Sequence, residues 1–193
     1  MLWMMYQPLP DEPLTGAGSE TGGISLPFFD GPPQLPALGP VNTDEVESAI
    51  LKYTNEERQK HGVAPLTWDT ALSTIARQHS QDMAENNYLA HDNQEGDGPT
   101  DRARKHGYPL RKDLGNGWYS EGIGENIGTM LTGDVEGFGI VVNTPDAVAR
   151  AHVDAWMSSP GHKENILDPQ YDRLGVGVAY DGHTYYYATQ NFW

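Results

Sequence analysis

Trp156-Met157-Ser158-Ser159-Pro160-Gly161-His162-Lys163-Glu164-Asn165-Ile166-Leu167, followed by Leu174-Gly175-Val176-Gly177-Val178, is the stretch that decides the fold. It predicts the end of a helix, a tight Pro-Gly turn presenting one histidine, a short helical turn, and then a strand. A histidine delivered by a rigid turn between two packed elements is a candidate site residue. The alternative is that Ser-Pro-Gly is only a helix stop and His162 only a solvated cap.

The strand after this turn has an unusual pattern. Leu174, Val176, Val178 and Tyr180 alternate with Gly175, Gly177 and Ala179, so one face is bulky and the other nearly bare. A helix is expected to approach closely over the glycines. Asp181-Gly182 reads as a two-residue hairpin turn, with the return strand over residues 184–192.

Upstream, a first helix is expected over residues 43–61. Asn42 or Thr43 caps it, Asp44 and Glu45 suit its positive end, and Val46, Ile50, Tyr53 and Glu57 follow the helical spacing until Gly62. Leu66 and Trp68 anchor a short connection, and Asp69 caps a second helix to about residue 86. Leu72, Ile75, Ala76, His79 and Met83 share one face of it. On that face His79 reads as a buried, hydrogen-bonded structural histidine rather than a ligand.

The acidic loop Asp92-Asn93-Gln94-Glu95-Gly96-Asp97-Gly98 does not match a calcium loop. With Asp92 as position one, an EF-hand needs glycine where Asp97 stands. A short helix over 100–106 is stopped by Gly107. The segment Gly122-Ile123-Gly124-Glu125-Asn126-Ile127-Gly128 misses the dinucleotide fingerprint by one residue. Its glycines are expected to turn the backbone sharply while Glu125 points inward. Thr144-Pro145 starts a helix whose face is Val148, Ala151, His152, Ala155 and Trp156, ended by Pro160. Four helical segments, one strong hairpin and weaker central strands predict a sheet covered by helices.

Composition narrows the functional classes. Eight of the 14 prolines lie in the first 40 residues, which hold no Lys or Arg and show no helical or strand period. Residues 1–40 therefore read as a Pro/Gly-rich flexible extension or linker, and residues 41–193 as the folded domain. Met1 to Tyr6 is apolar but too short for a signal-peptide core and lacks a basic start. No run reaches the length of a membrane span. The net charge of −15 opposes binding to nucleic acid and anionic lipid. It suits high-salt surroundings or simple solubility. The absence of cysteine excludes disulfides, thiolate metal sites and a cysteine nucleophile.

The order of motifs resembles the CAP superfamily (cysteine-rich secretory proteins, venom antigens and pathogenesis-related proteins) in its prokaryotic, SCP-like form. The resemblance rests on Asn55-Glu56-Glu57-Arg58, Leu66-Thr67-Trp68, Ala76 to Met83, Leu89-Ala90-His91 and Gly124-Glu125-Asn126-Ile127. It continues through Ala155-Trp156-Met157-Ser158-Ser159-Pro160-Gly161-His162, Asn165-Ile166-Leu167 and Leu174-Gly175-Val176-Gly177. It implies an α/β (α+β) fold, the three-layer α-β-α sandwich of that family, and an extracellular or surface-anchored, monomeric protein.

The resemblance also implies a cavity of two histidines and two glutamates that in some members holds zinc or another divalent ion. By motif position these are His91, His162 and Glu125, while the second glutamate falls on Ser159. Two imidazoles and one carboxylate can hold Zn²⁺ with an open position, but the most obvious general base is gone. A Ser-His pair of Ser158 or Ser159 with His162 lacks a third partner. Glu125 is either a ligand or a brace that accepts backbone N–H bonds at the glycine turn.

Three functions remain in contention. The first is a non-catalytic binding module whose His91/Glu125/Ser159/His162 cavity takes a divalent cation and a small-molecule, lipid-like or protein ligand. The second is a metal-dependent, peptidase-like hydrolase using the same cavity, and the third a structural domain with a vestigial one.

Overall fold

The computed structural model describes residues 39–193. The expected extension therefore lies almost wholly outside the described residues. Close to the expected boundary, the Val41 amide donates to Tyr186 Oη (2.9 Å) and Asn143 donates to the Gly39 carbonyl (3.1 Å).

Helix α1 (Thr43–Lys60) begins at Asn42, whose side chain accepts from the amides of Asp44 and Glu45, and it ends before Gly62 at φ +73°. Its buried face is Val46, Glu47, Ile50, Tyr53, Thr54 and Arg58, so the expected inward position of Glu57 belongs to Arg58 instead. After β1 (Thr67–Trp68) comes α2 (Thr70–Asn86), capped by Asp69 as expected, with Leu72, Ile75, Ala76, His79 and Met83 buried. A short α3 (Pro99–Lys105) leads to hairpin β2 (Arg111–Gly115) and β3 (Trp118–Glu121), then to β4 (Gly124–Leu131). A second small hairpin, β5 (Gly133–Val135) and β6 (Gly139–Val141), precedes α4 (Pro145–Ser158), α5 (Pro160–Leu167), β7 (Arg173–Tyr180) and β8 (Tyr185–Phe192).

The main sheet runs β1-β7-β8-β4, parallel between β1 and β7 and antiparallel elsewhere. Leu174, Val176 and Val178 of β7 pack with Val46 and Ile50 of α1, Val148, Val153 and Trp156 of α4, and Ile166 of α5. On the opposite face, α2 lies directly on the bare side of β7. A methyl group at Gly175 would sit 2.2 Å from the Leu72 carbonyl carbon, and one at Gly177 2.1 Å from the Arg77 nitrogen. Helices on both faces of one sheet make the three-layer α-β-α sandwich, and the paired glycines bring one layer into backbone contact.

Two local expectations are corrected. The glycines of residues 124–128 lie in strand β4 rather than in sharp turns; only Gly122, at φ +96°, turns the chain. Gly124 and Gly128 instead make room, the first for the Tyr171 hydroxyl and the second for the Trp156 indole. The connection from β7 to β8 spans residues 181–184 rather than two residues. The Asp181 Oδ1 atom accepts from the amides of His183, Thr184 and Tyr185, which stabilises the wider loop.

Candidate functional site

Four elements converge on Glu125. It is the second residue of β4, and its side chain is 1 % exposed. A carboxylate so far from water needs partners for both oxygens. His91 Nδ1, from the loop after α2, donates to Oε1 at 2.9 Å, and Arg102 Nη2 of α3 donates to Oε2. Arg102 Nη1 also donates to the carbonyls of His91 (2.6 Å) and Asp97 (2.8 Å). One guanidinium thus fixes both the carboxylate and the backbone of the residue paired with it. Glu125 accepts from these two side chains, not from backbone amides as the brace reading required.

His162 arrives from the other side, on α5. Pro160 both stops α4 and begins α5, since it lacks the N–H that a continued helix needs. A network of side-chain amides fastens this turn to β4. Asn126 donates to the His162 carbonyl and to Gln190 Oε1, both at 3.1 Å. Asn165 donates to the Glu125 carbonyl (3.1 Å) and to Asn126 Oδ1 (2.9 Å). Gln190 in turn donates to Thr54 Oγ1 at 2.8 Å. The far end of α5 is held by Arg58, fully buried, which donates to the carbonyls of Ala64, Ile166, Asp168 and Tyr171 at 2.6–3.0 Å. Above it, Trp156 Nε1 donates to the Ile127 carbonyl at 3.0 Å, tying α4 to β4.

The electrostatics follow from this placement. Burial pushes the His162 imidazole below its ordinary value of 6.5, and the nearby His91 adds to the depression. His91 is half exposed, with its Nδ1 committed to Glu125. Ser159 is the residue between α4 and α5 and makes no capping hydrogen bond, while the Ser158 hydroxyl donates to the Asp154 carbonyl. Neither serine is paired with His162 in a nucleophilic arrangement.

The donor set does not fit a three-ligand metal centre. Glu125 serves as the partner of His91 Nδ1 and as the counter-ion of Arg102, leaving two imidazoles where hydrolytic zinc sites use three protein ligands. Among the described residues no group of three or more His, Cys, Asp or Glu side chains is placed to hold a metal ion.

His79, expected to be structural, is buried at 1 % exposure and bonds the Ala90 carbonyl at 3.0 Å through Nε2. It supports the backbone next to His91. Arg102 is the functional residue that sequence reasoning missed. Within Thr100-Asp101-Arg102-Ala103-Arg104-Lys105 nothing distinguishes the buried arginine from Arg104, which stays exposed.

The fold and the site together define a CAP-type domain, and comparison with known proteins places the chain in a family. The CAP family (Cysteine-rich secretory protein family) matches residues 51–192, and the chain belongs to it. The uncharacterized protein YkwD of Bacillus subtilis (strain 168) is 34% identical over 153 residues, covering 79% of this chain and 49% of the relative. The uncharacterized membrane protein YlbC of the same organism is 36% identical over 147 residues, 76% of this chain and 34% of the relative. The chain thus spans about half or less of these relatives' length.

Among solved structures, an extracellular protein containing an SCP domain from Bacillus anthracis str. Ames is similar, with a TM-score of 0.59 and 28% identity. That match covers 78% of this chain and 40% of the other. An outer surface protein from Borrelia burgdorferi shares the fold, with a TM-score of 0.57 and 19% identity, over 80% of this chain and 98% of that one. No helix of the described residues is long and apolar enough to cross a membrane.

Proposed function

We propose that this CAP domain is a non-catalytic binding module acting outside the cell, with its ligand held between His91 and His162. The observation that carries this reading is the state of Glu125. Its two oxygens are taken by Arg102 and His91, so it is not available as a general base. Ser159 supplies no carboxylate in its place. What remains is a surface that carries two imidazoles and a fixed ion pair. Such a surface suits hydrogen bonding to a small polar or lipid-like ligand, or to a protein, better than it suits bond cleavage. The extracellular placement draws on the Bacillus anthracis relative, which is an extracellular protein.

The test is calorimetric titration of the domain with Zn²⁺, run beside casein digestion with and without chelator. The expected result is no tight one-to-one zinc binding and no chelator-sensitive cleavage. Tight binding that both His91→Ala and His162→Ala abolish, together with cleavage lost on chelation, would replace this reading with a metal-dependent hydrolase.

A further inference from the structure

Ten asparagines occur in the chain, and all lie among the described residues. Eight hold at least one side-chain hydrogen bond, from the Asn42 cap to the Asn126–Asn165 network, and Asn191 is fully buried. Asn116 differs from all of them. It is exposed, its side chain meets no hydrogen-bond partner among the described residues, and it alone precedes a glycine. Asn116 and Gly117 form the two-residue loop between β2 and β3, where Gly115 pairs with Trp118. Both have positive φ, 54° and 82°, as a tight turn between twisted strands requires. The Gly117 N–H bonds to nothing among the described residues, and a methyl on Gly117 would have nothing within 4 Å. Strands β2 and β3 pair only with each other, and a hairpin without a third strand is marginal in water. Local opening therefore gives this loop the torsional freedom that a ring closure needs.

The Gly117 backbone nitrogen and Asn116 Cγ belong to one short segment, so attack of the first on the second closes a small, unstrained ring without an encounter. A side chain on the following residue would crowd the attacking nitrogen, and glycine supplies none. The N–Cγ bond forms, the Cγ–Nδ2 bond breaks, and the backbone proton leaves with the amide nitrogen as ammonia. Water then opens the cyclic imide at either carbonyl. Opening at the side-chain carbonyl gives aspartate; opening at the main-chain carbonyl gives isoaspartate, whose backbone runs through Cβ and Cγ. Asp97 and Asp181 also precede glycines, but they are tied down. Asp97 is paired with Lys105, and Asp181 Oδ1 accepts from the amides of His183, Thr184 and Tyr185. We propose that Asn116-Gly117 is a site of spontaneous deamidation, and that its isoaspartyl product remodels the β2–β3 hairpin. The product adds a negative charge and an extra backbone carbon to a two-residue loop, which no longer holds Gly115 opposite Trp118. The surface it alters is aromatic: Trp118 is 75% exposed, and the Tyr119 ring carries the Arg111 guanidinium at 3.8 Å.

The test is incubation of the full chain in mildly alkaline buffer, followed by mass spectrometry of the tryptic peptide over residues 113–150 and enzymatic methylation of isoaspartyl groups. The same chain in concentrated guanidinium chloride gives the rate without the fold. Deamidation should accumulate at Asn116 ahead of every other asparagine, with isoaspartate present, at a rate within about tenfold of the unfolded chain. Gly117→Ala should slow it at least about tenfold. Amide exchange over residues 111–121 should accelerate in the aged protein and not in aged Asn116→Gln, whose longer side chain does not readily close the same ring. Another asparagine reacting first overturns the proposal. So does a folded rate more than about tenfold below the unfolded one, a Gly117→Ala chain that reacts as fast as the parent, or isoaspartate undiminished in Asn116→Gln. Unchanged hairpin exchange in the deamidated protein overturns the remodelling.

Discussion

Replacing Gly177 with alanine would place a methyl carbon 2.1 Å from the Arg77 nitrogen and 2.3 Å from the Ala76 carbonyl carbon. Both obstacles are helix backbone, which cannot swing aside as a side chain can. Non-bonded atoms settle near 3.5 Å, so α2 would have to retreat by roughly 1.4 Å at this point. A gap of that size forfeits about half or more of the dispersion attraction across the layer. It also stretches the bonds of Ser80 Oγ to the Gly177 carbonyl (2.9 Å) and to Thr189 Oγ1 (2.8 Å). Overpacking costs about 1–3 kcal/mol, and a backbone obstacle belongs at the upper end. With about 2–4 °C per kcal/mol for a domain of this size, Gly177→Ala should lower Tm by about 6–12 °C. Gly161→Ala is the control, because nothing lies within 4 Å of its added methyl. In helix α5 it should be neutral or stabilise by about 0.4–1 kcal/mol. Urea unfolding followed by tryptophan fluorescence reads both. Gly177→Ala within about 0.5 kcal/mol of the parent would refute the backbone-contact argument.

Three further outcomes follow from the same structure. Arg58→Leu strands four carbonyls and should destabilise by about 3 kcal/mol or more, read as a shift in the urea midpoint; a shift typical of a surface change would sink the clasp. Arg102→Gln leaves the Glu125 carboxylate buried beside His91 alone and should cost about 3–5 kcal/mol, with amide exchange near His91 accelerating; an unchanged exchange rate would contradict its positioning role. Burial lowers the His152 value from 6.5 in the folded state, so above about pH 6.5 both states are neutral and it adds no pH dependence. Below that pH the unfolded chain takes up a proton that the folded chain refuses, and stability falls by up to about 1.4 kcal/mol per pH unit until the folded value is reached. His152→Gln should flatten this slope in melts taken across the range, and an unchanged slope would contradict the assignment.

The helices were legible because their caps are local. Asn42, Asp69 and Thr144 stand where the side-chain caps form. The close helix approach was legible because the bare face of β7 is written as alternate glycines. Strand β4 was not, since its glycines look like turn residues until Tyr171 and Trp156 arrive from distant elements to fill the space. The site divides in the same way. His91, Glu125 and His162 are set by motif position, but the pairing of Glu125 depends on Arg102, whose burial is a tertiary fact. Nor does helical spacing foretell that Arg58, and not Glu57, turns inward, because the four carbonyls that stabilise it come mostly from residues 166–171.

The position of β8 has a consequence for biosynthesis. It lies in the interior of the sheet, between β7 and β4, yet it is built from residues 185–192. While a ribosome is still making residue 180, β4 has no neighbour, β7 lacks its antiparallel partner, and Gln190 is not there to meet Asn126 and Thr54. The helices can form early, but the layers cannot close until residue 192 is free. Closure of the sandwich is thus set by the synthesis of one central strand, not by the helices that flank it.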